Sequence, residues 1–234
     1  MASSEFVDPY LDPETGLLRN LVGARDKVTL DTIEGDLSFV RMVQLMDHPP
    51  PPTGDLAELK AIHGHLFQDV YDWAGQTRVV DMRKTADGAG FFLPFPMIEH
   101  ATANVVLELH GERMLRGLGR GRFVERLAAY YDQLNHVHPF REGNGRTQRV
   151  FWGRVARDAG WDLDWRSVPG EANDAACRAA EATGDLEPLR EMFDHIVTAA
   201  PTAPQRPGQE YALLTVLRRP TEPPSDLPTQ GPPG

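Results

Sequence analysis

With 234 residues, 41% of them hydrophobic, the chain is long enough to enclose one sizeable core. Its 24 Lys and Arg against 34 Asp and Glu leave a formal charge of -10, which excludes broad phosphate-driven binding to DNA or RNA and confines any anion site to a local cluster. The one cysteine, Cys177, excludes an intramolecular disulfide and a cysteine-based zinc site. Neither a basic leader with an apolar run behind it nor about eighteen consecutive apolar residues occurs, so the expectation is a cytoplasmic protein, neither secreted nor membrane-spanning.

In chain order, a helical pattern over 29–46 is stopped by the run "HPPPP", which cannot be helical. A second helix begins near Asp55 and carries Leu56, Leu59, Ile62, Leu66 and Val70 on one face, ending near "WAGQTR". Two short β-prone runs, 79–82 and 91–95, flank a Gly-rich turn and predict a hairpin. Helices are expected over 97–115, over a stripe of Phe123, Leu127, Tyr131 and Leu134, over 143–159, over 172–182 and over 186–199. From Pro201 the chain is Pro-rich and predicted mostly disordered, apart from "EYALLTVL". The class is mainly α with one β-hairpin, divided into an N-terminal helical segment over 1–53, a main domain over 54–200 and a tail over 201–234.

The stretch "HPFREGNGRTQR", His138 to Arg149, lies where one helical pattern stops and the next begins. Gly143 and Gly145 let the backbone approach a ligand, and the first turn of the following helix leaves amides free for an anion. Asn144 adds an amide donor, and Arg146 and Arg149, at i and i+3, fall on one face where they can hold successive phosphates. Glu142 at the mouth of an anion cradle is repelled unless a cation intervenes, which points to Mg²⁺ and a nucleotide. His138, near neutrality in its pKa, suits a general base, and Arg141 favours its neutral form. Phe140 reads as the hydrophobic anchor of the loop.

This stretch resembles the signature of Fic-domain proteins, HxFx(D/E)GNGRxxR, with every fixed position present, and the resemblance extends from "YLDPETGLLRN" to about Trp165. It implies the Fic fold, a helical bundle core with a β-hairpin flap, and a protein adenylyltransferase that moves AMP from ATP to a Ser, Thr or Tyr hydroxyl of another protein. By the same resemblance His138 is the base, Glu142 holds Mg²⁺, and Gly143, Asn144 and Gly145 steady the α-phosphate. Arg146 would contact the β-phosphate and Arg149 the γ-phosphate. The hairpin over 78–95 is similar to the family's flap, where a target segment adds as a strand.

Many Fic proteins are held off by a helix of pattern (S/T)xxxE(G/N), whose glutamate pairs with the final arginine, here Arg149. The nearest match is "LDTIEG", with Glu34 and Gly35 in place but Leu30 where Ser or Thr is required. The resemblance therefore favours the toxin-like subgroup, active alone and silenced by a small separate antitoxin. Type II topoisomerases, which toxin-like members modify, are a target candidate by analogy. No direct nucleic-acid or membrane contact is expected. Two other functions remain open: a non-catalytic Fic-like binding module, and a metal-dependent hydrolase built on His63, His65, His136 and His138.

Overall fold

The computed structural model describes residues 8–83 and 91–201. The Gly-rich turn expected between the hairpin arms and the tail beyond 201, with its apolar 210–217, lie outside the described residues. Among these, seven α-helices form the body: α1 (Lys27–Asp47), α2 (Leu56–Phe67), α3 (Ile98–Gly111), α4 (Arg120–Val137), α5 (Asn144–Asp158), α6 (Gly170–Thr183) and α7 (Glu187–Ile196). The mainly α class expected from the periodicity is the one observed.

Local chemistry sets several of these boundaries. Asp26 caps α1 by accepting from the Thr29 amide at 2.9 Å, and Asp55 caps α2 by accepting from the Glu58 amide at 3.1 Å. The Pro run between them forbids one continuous helix. α2 buries Leu59, Ile62, Leu66 and Phe67 between α1 and α5, while α4 supplies Phe123, Leu127, Tyr130 and Tyr131 to the same core. α1 adds Leu30, Met42 and Leu45 to that core, but Glu34 and Ser38 lie buried on the same stripe. Two polar residues on a buried face need partners.

Four segments depart from the sequence expectation. α2, expected to end near Trp73, stops at Phe67, and Val70 is buried from the turn that follows, its amide donating to the Phe67 carbonyl at 2.9 Å. The helix expected over 97–115 ends at Gly111, and Arg113, Met114 and Leu115 follow with φ of 57°, 55° and 60°. Each left-handed non-glycine residue costs about 1–2 kcal/mol. Here the reversal turns Met114 and Leu115 inward, where they are 6% and 0% exposed. The last expected helix stops at Ile196, because β-branched Val197 and Thr198 enter a strand, β2 (Val197–Ala199), antiparallel to β1 (Trp161–Leu163) in the register Trp161 to Ala199. Among the described residues the hairpin arms meet in one antiparallel bridge, Arg83 to Phe91, with the Phe92 amide donating to the Met82 carbonyl at 3.0 Å.

One core residue ties α2 to the loop between α4 and α5. His63 is fully buried and stacked on Phe140, ring centroids 4.0 Å apart. Its Nδ1 accepts from the Gly75 amide at 2.8 Å, which places the ring proton on Nε2, 3.0 Å from the Glu142 carbonyl it donates to. Burial pulls the His63 pKa down to about 4. The unfolded chain therefore takes up a proton near the ordinary value of about 6.5 that the folded protein refuses until about 4, so stability falls as pH drops through that window. We expect denaturant unfolding at pH 5 to show a loss on the order of 2 kcal/mol relative to pH 7.5, most of it absent in His63→Gln. An identical pH slope in the two proteins would contradict this assignment.

Candidate functional site

The site is the loop that joins α4 to α5. α4 ends at Val137 and is capped by His138, which has φ 47° and whose amide donates to the Leu134 carbonyl at 3.1 Å. Phe140 then drops into the core at 1% exposed, as its aromatic character between polar neighbours implies. The loop is closed by Asn144. Its Oδ1 accepts from the Phe140 amide at 2.9 Å, and its Nδ2 donates to the Phe140 carbonyl at 2.8 Å.

The two glycines differ in what they do. Gly143 has φ 78°, and a Cβ there would fall 2.3 Å from the Phe67 ring, so both backbone and packing demand glycine. At Gly145 a Cβ would meet nothing within 4 Å, so packing does not require glycine, and the residue lies open to solvent. The first bond inside α5 runs from the Thr147 amide to the Gly143 carbonyl, so the first-turn amides of Gly145 and Arg146 have no helical acceptor. Such an end carries roughly half a positive charge.

Around this helix start lie the charged groups. Glu142 is half-buried; its Oε1 accepts from the Gly143 amide at 2.9 Å and lies 3.7 Å from an Arg146 nitrogen. Arg146 is almost enclosed, donates to the Glu34 carboxylate and the Ser38 hydroxyl on α1, and rests on the Phe67 ring at 4.7 Å. Burial works to lower its pKa, but the Glu34 and Glu142 carboxylates outweigh that and hold it above the usual value. Glu34 accepts a second bond from the Tyr71 hydroxyl, whose pKa burial and Glu34 both push up. The two buried polar residues of α1 are thus explained by Arg146.

Arg149 stands apart from this network, stacked over Trp165 at 4.9 Å with its Nε buried and without an acceptor. It lines a cavity of about 170 Å³ with the apolar side chains of Met42, Leu45, Ile62 and Trp165 and the charged ones of Glu58, Arg154 and Asp162. Neither His138 nor Glu142 lines that cavity. The sequence expectation put Glu34, if inhibitory, on Arg149. The structure instead puts it on Arg146, three residues earlier on the same face of α5. Arg141, expected to act on His138 by its charge, is paired with Asp8 at 3.0 Å.

The loop thus brings together His138, Glu142, Gly143, Asn144, Gly145 and Arg146, with Arg149 one turn further along α5. Several supporting residues carried no sequence signal: Tyr71, Ser38, Asp8, and above all Arg78, which is 1% exposed and bonded to the His138 carbonyl. The four-histidine metal reading loses His63, both of whose ring nitrogens are engaged by backbone. No group of three or more metal-ligating side chains occurs among the described residues.

The geometry is an open helix start beside a histidine and a carboxylate on a helical body, an arrangement suited to holding an anion, and similarity to known proteins is specific. A profile of the Fic/DOC family matches residues 53–155. The chain is 42% identical over 161 residues to "Protein adenylyltransferase VbhT" of Bartonella schoenbuchensis, which covers 69% of this chain but only 33% of that relative. It is 36% identical over 193 residues, 82% of this chain and 94% of the relative, to "Probable protein adenylyltransferase Fic" of Escherichia coli. The crystal structure of BepC of Bartonella tribocorum with bound AMPPNP superimposes with a TM-score of 0.75 at 28% identity, covering 82% of this chain and 97% of that one. The chain belongs to the Fic/DOC family.

The enclosed Arg146–Glu34 pair yields a stability test. Removing one partner of a buried pair leaves the other charge uncompensated, which costs about 3–5 kcal/mol. Glu34→Ala should therefore lower the unfolding free energy measured in denaturant by an amount in that range, whereas Lys27→Ala, which breaks the exposed pair with Asp31 on the same helix, should lower it by less than about 1 kcal/mol. Equal effects of the two substitutions would contradict the network.

Proposed function

We propose that this site transfers AMP from ATP to a Ser, Thr or Tyr hydroxyl of a target protein. The chain is a protein adenylyltransferase, the enzyme class of the curated relatives to which it is similar over most of its described length. The observation that carries the chemistry is the pairing of a helix start left open at Gly145 with a histidine fixed one short loop away. His138 takes the proton of the attacking hydroxyl. A bond forms between that oxygen and the α-phosphorus, the α–β bridging bond breaks, and pyrophosphate leaves.

The free amides at the start of α5 hold the α-phosphate oxygens as charge builds on them. Asn144 acts chiefly by holding the loop that aims those amides, and Gly143 lets the loop turn against Phe67. Arg146 reaches the β-phosphate side and Arg149 the γ-phosphate side. The Glu142 carboxylate, half open beside the helix start, has the oxygen chemistry that suits Mg²⁺, which would neutralise phosphate charge. A target segment adds as a strand to the flap arms, where Val79 and Phe91 are exposed.

Regulation by a small separate antitoxin fits the pairing better than self-inhibition. Glu34 is spent on Arg146 and Tyr71, and Arg149 has no ion pair among the described residues. A type II topoisomerase remains a target candidate by analogy. Among the described residues no helix is long and apolar enough to cross a membrane.

The test uses ATP labelled on the α- or the γ-phosphate, with Mg²⁺ and cell lysate. Label from the α-position should appear on protein, label from the γ-position should not, and His138→Ala should reduce transfer at least 10²–10⁴-fold, roughly, while ATP affinity stays within a few-fold. Transfer of γ-label would make the chain a phosphotransferase with the nucleotide reversed, and undiminished transfer by His138→Ala would remove the base.

A further inference from the structure

Arg78 is a buried cation that forms no ion pair among the described residues, although the Asp81 carboxylate acts on it through charge. It is 1% exposed, and its guanidinium is spent on backbone carbonyls: Nε donates to His138 at 2.8 Å, one terminal nitrogen to Val80 at 2.8 Å, and the other to Leu93 and to Val137, the latter at 3.2 Å. The Arg78 amide adds a bond to the Pro139 carbonyl at 2.9 Å. Three consecutive carbonyls, 137 to 139, are therefore tied to one residue. The carbonyls at a helix C-terminus lack helical donors and carry partial negative charge, which is what a buried guanidinium can neutralise.

The other two carbonyls belong to the flap. Val80 lies in the first arm and Leu93 in the second, so the guanidinium joins both arms to the residue that carries the base. The second arm is stitched to α4 again, since the Leu93 amide donates to the His136 carbonyl at 3.2 Å. Beside it the Phe92 ring stacks on the His138 imidazole, centroids 3.7 Å apart and planes 17° from parallel. None of the bonds of Arg78 goes to the α5 side, where Glu142, Gly145, Arg146 and Arg149 stand.

We propose that Arg78 is the positioning residue that holds the target-binding flap in register with His138. The proposal rests on the function argued above and assigns this residue a share of it. A strand laid on the flap presents its hydroxyl at a distance from the imidazole that the arms determine, and a displacement of about 1 Å at a reacting centre can cost 10²-fold in rate. ATP is bound by the α5 side and is indifferent to the clamp. A water molecule attacking the α-phosphorus needs His138 but no flap register. The guanidinium donates from three separate nitrogens to four carbonyls, whereas lysine offers three N–H donors on a single nitrogen, so lysine is not an equivalent.

The experiment compares the full chain with Arg78→Lys and Arg78→Met, using α-labelled ATP and Mg²⁺. Three quantities are read: AMP transferred to protein in lysate, AMP released to water without lysate, and ATP affinity. In Arg78→Lys, transfer to protein should fall by roughly 10–10²-fold and hydrolysis, which uses His138 but not the flap, by several-fold less, while ATP affinity stays within about 3-fold. An equal fall in transfer and hydrolysis, or no fall in either, would overturn the proposal. Should both variants fail to fold, amide exchange in the parent decides: the amides of Arg78, Leu93 and His138 should open with one common free energy, and independent opening of Leu93 would overturn the clamp. A parent that transfers no AMP at all refutes the functional assignment instead, and leaves the exchange result to judge the clamp.

Discussion

The chain must reverse between α4 and α5 within six residues, 138 to 143, and do so with a histidine at one end of the turn and a helix start at the other. Two left-handed residues make this possible, His138 at φ 47° and Gly143 at φ 78°. The glycine adopts that conformation without steric cost, while the histidine is held there against its preference. What holds it is visible on both sides of the turn: Asn144 bridges to Phe140 through both ends of its amide, and Arg78 binds the carbonyls at the end of α4. Phe140, sandwiched on buried His63, fixes the middle. The loop is preformed because the carbonyls of His138, Pro139, Phe140 and Glu142 all accept bonds from outside the turn or from Asn144.

The same commitments sort the electrostatics of the site. At the end of α4 the negative carbonyls are consumed by the Arg78 guanidinium, whereas at the start of α5 the positive amides are left open. In a protein of net charge -10 the open amides thus give one helix end a local positive pole, beside the paired charges of Arg146, Glu34 and Glu142. Arg146 is kept there by Glu34 and Ser38, so its long side chain is ordered before any ligand arrives. Preordering of this kind reduces the entropy lost on binding. Arg149, stacked on Trp165 and facing a cavity, is held by dispersion and cation–π attraction and keeps its hydrogen-bond donors in reserve.

Much of this was legible in the sequence because it is local. The apolar stripes of α2 and α4 are strict repeats of three and four, the Pro run marks its break unmistakably, and the signature from His138 to Arg149 is contiguous, so its residues share one loop in any fold. What escaped was long-range or conformational. Arg78 lies 60 residues from the carbonyl it binds, and an arginine within "GQTR" looks like any solvated one until the tertiary structure surrounds it. Glu34 and its partner are separated by 112 residues, and a one-turn difference decides between Arg146 and Arg149. The reversal at Arg113 to Leu115 was hidden because its residues have helical propensity, and only burial of Met114 and Leu115 explains it. The strand at the chain's described end was absorbed into a helix because three β-branched or small residues are too few for a periodicity to show.

A preformed cradle at the start of α5 is tested most directly by a structure of the protein with Mg²⁺ and a non-hydrolysable ATP analogue. The α-phosphate should lie against the amides of Gly145 and Arg146, with the remaining phosphates running toward Arg146 and Arg149, and the backbone of 138–145 should stay within about 1 Å of its ligand-free path. A nucleotide whose γ-phosphate occupies the helix start, or a loop that refolds to admit it, would contradict the account.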